Sequence, residues 1–193
     1  MSLRKLFGIK PKKKKPHQFV DVLHMWEDDY LMIELLPKDN FEFIIKESNR
    51  IHEFGKEHFD DYGFTNITEF GEIPTKTIDK KIDFKSVADI FEKNGMERIK
   101  EVVHQNIGYL SGEKVPFGFG SNNFALLLEE DNGRLKYIWT TGRIDNEVLE
   151  REFKNGLSEF VLTYDFMAID WYKSKSYDLH SENGIEEFIK KSC

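Results

Sequence analysis

Two short stretches of the 193-residue chain place carboxylates beside aromatic rings. Trp26-Glu27-Asp28-Asp29-Tyr30 sets three successive acids between a Trp and a Tyr, and Asp170-Trp171-Tyr172 repeats the combination in shorter form. Carboxylate oxygens are ligands for hard cations. Neighbouring side chains on an extended chain diverge, however, so a metal would need further ligands that the sequence does not identify. The same residues suit a contact patch better, with rings to bury against a partner and acids to draw in a basic surface. Trp26, Glu27, Asp28, Asp29, Tyr30, Asp170 and Trp171 are the candidate partner-binding residues on this ground. The plainer alternatives are a solvated loop for the first group and a core strand with one exposed acid for the second.

Other suggestive spacings fail on geometry. His52-Glu53-Phe54-Gly55-Lys56-Glu57-His58 has the residue types of a zinc-protease helix, but that motif needs histidines four apart on one helix face, and these are six apart. Gly118-Phe119-Gly120 lacks the third glycine of a dinucleotide fingerprint and leads into a strand, whereas a phosphate cradle needs the amides of a helix start. Ser111-Gly112-Glu113-Lys114 lacks P-loop spacing. No residue is assigned a catalytic, cofactor-binding or metal-binding role.

Charge is distributed unevenly. Residues 1–16 hold Arg4, Lys5, Lys10, Lys12, Lys13, Lys14 and Lys15 and no acid, which leaves 21 basic residues against 35 acids on the rest, a net −14. A body that acidic repels a phosphate backbone, which argues against nucleic acid and for a basic partner. The first 16 residues read as a flexible tail, and residues 17–193 as one domain. Leu3, Leu6 and Phe7 among the lysines also offer a weak membrane contact, at about 1 kcal/mol per basic residue near an anionic lipid surface. The only cysteine is Cys193, no apolar run approaches a bilayer span and no signal-peptide core is present, so a reducing, cytoplasmic location is expected. Oligomeric state is not legible.

The elements that must position these residues follow from periodicity and turn chemistry. Asn132-Gly133 at the centre of a two-residue turn predicts a hairpin over 115–143. Its expected pairs are Asp131 with Arg134, Glu129 with Lys136 and Leu127 with Ile138 on one face, and Leu128 with Tyr137 and Leu126 with Trp139 on the other. Strands are expected over 19–25 and 30–37 with a turn between them, and further strands over 63–73, near 98–104 and across 160–173. Asp39 or Asn40 caps a helix to about Phe59 that buries Phe41, Ile44, Ile45, Ile51 and Phe59. Asp83 caps a second helix with Val87, Ile90 and Phe91 inward and Asn94-Gly95 as its stop. Asp145 or Asn146 caps a third that carries Leu149 and Phe153 and ends near Asn155-Gly156. A last helix turns Ile185, Phe188 and Ile189 inward. With no regular strand-helix alternation, the expected class is α+β, a mainly antiparallel sheet with a central hairpin and helices packed on one face.

Val115-Pro116-Phe117-Gly118, Asn123-Phe124-Ala125-Leu126-Leu127-Leu128, the Asp131-Asn132-Gly133 turn and Tyr137-Ile138-Trp139 together resemble the central hairpin of the SUKH superfamily. Leu36-Pro37-Lys38-Asp39-Asn40-Phe41 is similar to the Leu-Pro opening of that family's early helix, and Glu187-Phe188-Ile189 to its closing helix. The strand pair before Leu36 and the roughly 45 residues between Trp139 and the last helix depart from the family's pattern. Many members are bacterial immunity proteins. The resemblance therefore implies a non-enzymatic protein that neutralises a toxin, here one with a basic surface such as a nuclease. Its rivals are an enzyme using scattered Asp, Glu and His residues, and a membrane-surface adaptor working through the basic tail.

Overall fold

The computed structural model describes residues 20–60, 63–66, 68–105 and 117–193. The basic segment 1–16, the 111–114 stretch and the Val115-Pro116 lead into the hairpin lie outside them. The strands are β1 (Val20–Trp26), β2 (Ile33–Pro37), β3 (Phe59–Asp60), β4 (Gly63–Phe64), β5 (Ile99–Gln105), β6 (Phe117–Gly120), β7 (Phe124–Asp131), β8 (Arg134–Gly142), β9 (Phe166–Asp170) and β10 (Lys175–Tyr177). The helices are α1 (Phe41–Glu57), α2 (Phe84–Lys93), α3 (Glu147–Tyr164) and α4 (Gly184–Ser192).

The class is α+β: a six-stranded antiparallel sheet in the order β10-β9-β2-β8-β7-β6. β2 lies inside it, paired with β8 on one edge and β9 on the other, and all five of its residues are buried. Alternation along the strands then divides the core. Ile33 and Leu35 face a phenylalanine-rich layer in which Phe91, Phe119, Phe124, Phe153, Phe160, Phe166 and Phe188 are fully buried under α2, α3 and α4. Leu36 faces the opposite side, where Ile44 of α1 meets Met167, Ile169 and Trp171. The helical cover expected on one face thus comprises α2, α3 and α4, while α1 covers part of the other.

The segment before β2 does not form the expected strand pair. β1 runs parallel to β5, with Val20 opposite Ile99 and Trp26 opposite Gln105, because both edges of β2 are already taken. A bridge between Arg98 and Phe119 joins this pair to the β6 edge. Leu23, Met25, Ile99 and Val102 then close over Ala125, Leu127 and Trp139, forming a second cluster on the same face as α1.

The hairpin turn is as expected: Asn132 and Gly133 both take left-handed backbone, φ 51° and 77°, which a two-residue primed turn requires. Asp131 faces Arg134, but further in the register differs. Glu130 pairs with Leu135 and Glu129 with Tyr137, so Lys136 is an extra residue in β8 and every inner pair is offset: Leu128 with Ile138, Leu127 with Trp139 and Leu126 with Thr140. This bulge lets Leu135 and Ile138 both reach the phenylalanine layer and sends Trp139 to the opposite face. Gly118 and Gly120 lie in a strand, β6, paired with β7; Gly120, at φ 136°, is the one with backbone that a side chain would strain.

The strand expected over 63–73 reduces to Gly63–Phe64. Beyond it, side chains of α1 and of the residue before it take the place of a ladder: Gly71 donates to Glu47 (2.6 Å), Arg50 donates to Thr68 Oγ1 (2.9 Å) and the Glu69 carbonyl (2.6 Å), and Asn40 exchanges two bonds with the Thr75 backbone. Along α1 itself, Ile44 is buried, whereas Ile45 and Phe59 are exposed rather than inward, and Phe59 has left the helix. α3 runs on to Tyr164, so 160–164 is helix and only β9 remains of the long strand expected there. Gly156 is not its stop: a Cβ at that position would lie 2.6 Å from Cδ1 of the fully buried Phe91, so the glycine leaves room for that ring against α3. The helix ends instead at Asp165, in left-handed backbone.

Gly156→Ala should cost roughly 1–3 kcal/mol despite the better helix propensity of alanine, because Phe91 has no room to yield. Urea unfolding of the two proteins measures it, and an unchanged midpoint would show that the α2–α3 contact has slack.

Candidate functional site

Two loops meet at the end of the β2–β9 pairing. One, residues 26–32, contains a 3₁₀ turn over Glu27–Asp29; the other is the 171–174 turn between β9 and β10. Trp171 N donates to the Met32 carbonyl at 2.9 Å, which extends the ladder by one bond before the chains diverge. Tyr172 then crosses to the first loop. Its hydroxyl lies 2.6 Å from the Asp28 carbonyl oxygen and 3.0 Å from Asp29 Oδ1, so its single proton is shared between them. Partial burial and the facing Asp29 carboxylate, with Asp28 and Asp170 adding to them, push the phenol up to about 12, keeping it a donor. Asp29 also accepts from Trp26 N at 3.4 Å. Each loop holds a non-glycine residue in left-handed backbone, Leu31 at φ 56° and Ser174 at φ 48°, a conformation that persists only where its surroundings enforce it.

The sequence-selected residues separate into three groups. Trp26, Asp28 and Tyr30 are exposed and Asp29 is half-buried, forming one surface with Tyr172; Trp26 is 55% and Tyr172 54% exposed. Tyr30 stands edge-on to Trp139, with ring centroids 5.3 Å apart, and to Tyr137 at 6.5 Å, which roots the loop in the second cluster. Glu27 lies in the 3₁₀ turn, and only its backbone is described. Asp170 and Trp171 are interior, at 0% and 5% exposure, and offer no contact surface. Tyr172, their neighbour, is the residue of that group that reaches solvent.

Asp170 is structural. It accepts from Ser192 Oγ at 2.7 Å, Lys173 Nζ at 2.8 Å and Lys173 N at 3.1 Å, and Ser192 Oγ in turn lies 2.9 Å from the Tyr177 hydroxyl. A buried carboxylate so satisfied fastens the end of α4 to the β9–β10 edge. Trp171 lies under Phe70, ring centroids 4.4 Å apart.

Two features were not drawn from the sequence. The first is Glu34, buried on β2 between the strand positions of Trp139 and Ile169. Desolvation pushes its carboxyl up to about 8, against an opposing hydrogen bond from the Trp171 side chain. The neighbouring Trp139 Nε1 is buried with no hydrogen-bond partner among the described residues. A lone acid inside an otherwise apolar strand was the available signal. The second is a cleft of about 810 Å³ on the other side of Tyr172, between the last turns of α1, the chain after β4 and the 171–174 turn. His52 lines it, and His58 instead stacks on Phe54 at 4.2 Å. Among the described residues no three His, Cys, Asp or Glu side chains converge as metal ligands, and no helix is long and apolar enough to cross a membrane.

Compared with known protein families, curated proteins and solved structures, the chain matches none.

Glu34 gives stability a definite pH dependence. Its folded-state affinity for a proton exceeds that of the unfolded chain, so its contribution is complete below pH 4.5 and is lost as pH rises to about 8. At 1.36 kcal/mol per unit the loss amounts to roughly 4–5 kcal/mol. Glu34→Gln should remove it, so that the mutant gains on wild type steadily between those limits; urea midpoints across the range measure the difference, and parallel profiles would mean that the carboxyl is hydrated. Asp170→Ala should cost about 1–3 kcal/mol by taking the acceptor from the buried Ser192 hydroxyl, since the half-exposed Lys173 ammonium can turn to water. Full stability in that variant would return Asp170 to the surface.

Proposed function

We propose that this chain is a binding protein whose surface at Trp26, Asp28, Asp29, Tyr30 and Tyr172 receives a basic protein, and that it acts as an immunity protein occluding a basic toxin such as a nuclease. The observation that carries this reading is the Tyr172 hydroxyl held between the Asp28 backbone carbonyl and the Asp29 carboxylate, which fixes the backbone of the acidic loop and one of its carboxylates beside two half-exposed rings before any partner arrives. Pre-ordering of that kind lowers the entropy lost on association. The acids accelerate encounter with a positive surface, and the rings provide area to bury. The net −14 of the chain beyond residue 16 favours the same class of partner. The choice of an immunity role among binding roles draws on the SUKH-like segments, of which Phe117–Gly120 and the β7–β8 pair lie within the described residues.

An immunity role requires a nearby reading frame encoding a secreted protein with a variable toxin domain, and co-expression with that domain should restore growth. Trp26→Ala combined with Asp28→Lys should abolish protection without changing the unfolding midpoint. The association rate should fall about tenfold from low to physiological ionic strength, where charges beyond about 8 Å are screened. A salt-independent association rate, or protection that survives the double variant, would overturn the assignment of this surface.

A further inference from the structure

The cleft beside Tyr172 has a chemistry opposite to that of the acidic loop. None of its described lining residues is an acid, although the chain carries 35. Its walls are Ile51, Phe54, Phe59, Trp171 and the Tyr172 ring, and its polar rim includes His52, Lys56 and Lys173. Phe59 is 60% exposed.

Each ammonium group is paired within the chain. Lys56 Nζ is held by Glu53 at 2.8 Å, and Lys173 Nζ by Asp170 at 2.8 Å and the Lys191 carbonyl at 2.5 Å. An ammonium has three N–H donors, so Lys56 keeps two and Lys173 one for an incoming acceptor among the described residues. Asp170 is fully buried beneath Lys173 and does not present its charge at the mouth. Burial favours an apolar side chain against the rings, and the rim favours a carboxylate next to it.

We propose that the cleft is a docking groove for an extended peptide segment of a protein partner, in which a Leu or Phe side chain lies on the Phe54–Phe59–Tyr172 wall and an adjacent Glu or Asp meets Lys56 and Lys173. The form favours a peptide over a small molecule. Small-ligand pockets enclose most of the ligand's surface, whereas this cleft is open to solvent along its mouth and can take a chain that enters and leaves. Its charge complementarity is to an acidic-apolar segment, so the groove is separate in kind from the surface proposed for a basic partner.

The experiment is a titration of the isotope-labelled full chain with capped tetrapeptides, followed by amide chemical shifts. Glu-Leu-Phe-Glu should shift residues 51–56 and 171–174 with millimolar affinity or better. Lys-Leu-Phe-Lys and Glu-Ser-Ser-Glu should bind about tenfold more weakly, as should Glu-Leu-Phe-Glu to Phe59→Ser or Lys56→Glu. Absence of shifts at those residues, or equal binding of the three peptides, overturns the proposal. Phenylacetate binding as tightly as Glu-Leu-Phe-Glu would overturn it in favour of a small aromatic anion.

Discussion

Strand β2 is hydrogen-bonded on both edges and buried on both faces, and the rest of the fold is arranged to make that placement tolerable. A strand so placed cannot alternate apolar with polar residues, and Ile-Glu-Leu-Leu-Pro is nearly all apolar. Its one acid must be neutralised or paired, because an isolated charge in the interior is far too costly. Glu34 is pushed toward its neutral form by desolvation, against the Trp171 side chain, whose hydrogen bond favours the carboxylate. The carboxyl lies where the two clusters of the second face meet, the β1–β5 cluster around Trp139 and the α1 cluster around Trp171. Both surface loops lie at the Ile33 end of this strand, one entering β2 and the other leaving β9, where Ile33 pairs with Asp170. The geometry of the exposed aromatic surface therefore depends on a buried strand.

Local signals read well from the sequence, and long-range ones did not. Asp83 caps α2 by accepting from Ser86 N, and Asn146 caps α3 by accepting from Leu149 N; both bonds span three residues, so the residue type suffices to expect them. The Asn132-Gly133 turn is equally local. The choice of β5 as partner for β1 spans more than seventy residues and depends on which edges are already occupied. The bulge at Lys136 leaves no mark in the sequence because apolar residues line both faces of that hairpin, so a one-residue offset exposes nothing. In α3, Leu149, Phe153, Leu157, Phe160 and Val161 keep helical spacing past Gly156, and their β-branched and aromatic composition concealed it. Gly156 resembles a stop in sequence because its reason for being glycine, the Phe91 ring, belongs to another helix.

The candidate site shows the same division. Trp26, Asp28, Asp29 and Tyr30 were legible from composition alone, since a short run of acids between rings has no place in a core. Asp170 has the same residue type and a similar neighbourhood in sequence, yet it is fully buried, because its donors come from Lys173 next to it and from Ser192 on a helix that packs back against the strand. The acid alone does not reveal whether such donors exist. The cleft was not legible at all: its walls come from α1, from the chain after β4 and from the 171–174 turn, which meet only in the folded state.

Tyr172 is the residue at which these features combine, because one side of its ring borders the cleft while its hydroxyl bridges the acidic loop. Exposed carboxylates add little net affinity but act over about 10 Å, so in the proposed role Asp28 and Asp29 govern how often a partner arrives. The rings govern how long it stays, since their contribution is realised only when water is expelled. The two tasks conflict if the loop is free to move, because ordering it on contact would consume part of what burial contributes. The left-handed backbone at Leu31 and Ser174 carries a cost of about 1 kcal/mol or more each, retained in the unbound chain. That strain is borne by the fold rather than by the encounter, and the Tyr172 bridge, the Trp171–Met32 bond and the seat of Tyr30 on Trp139 are the contacts that hold it in place.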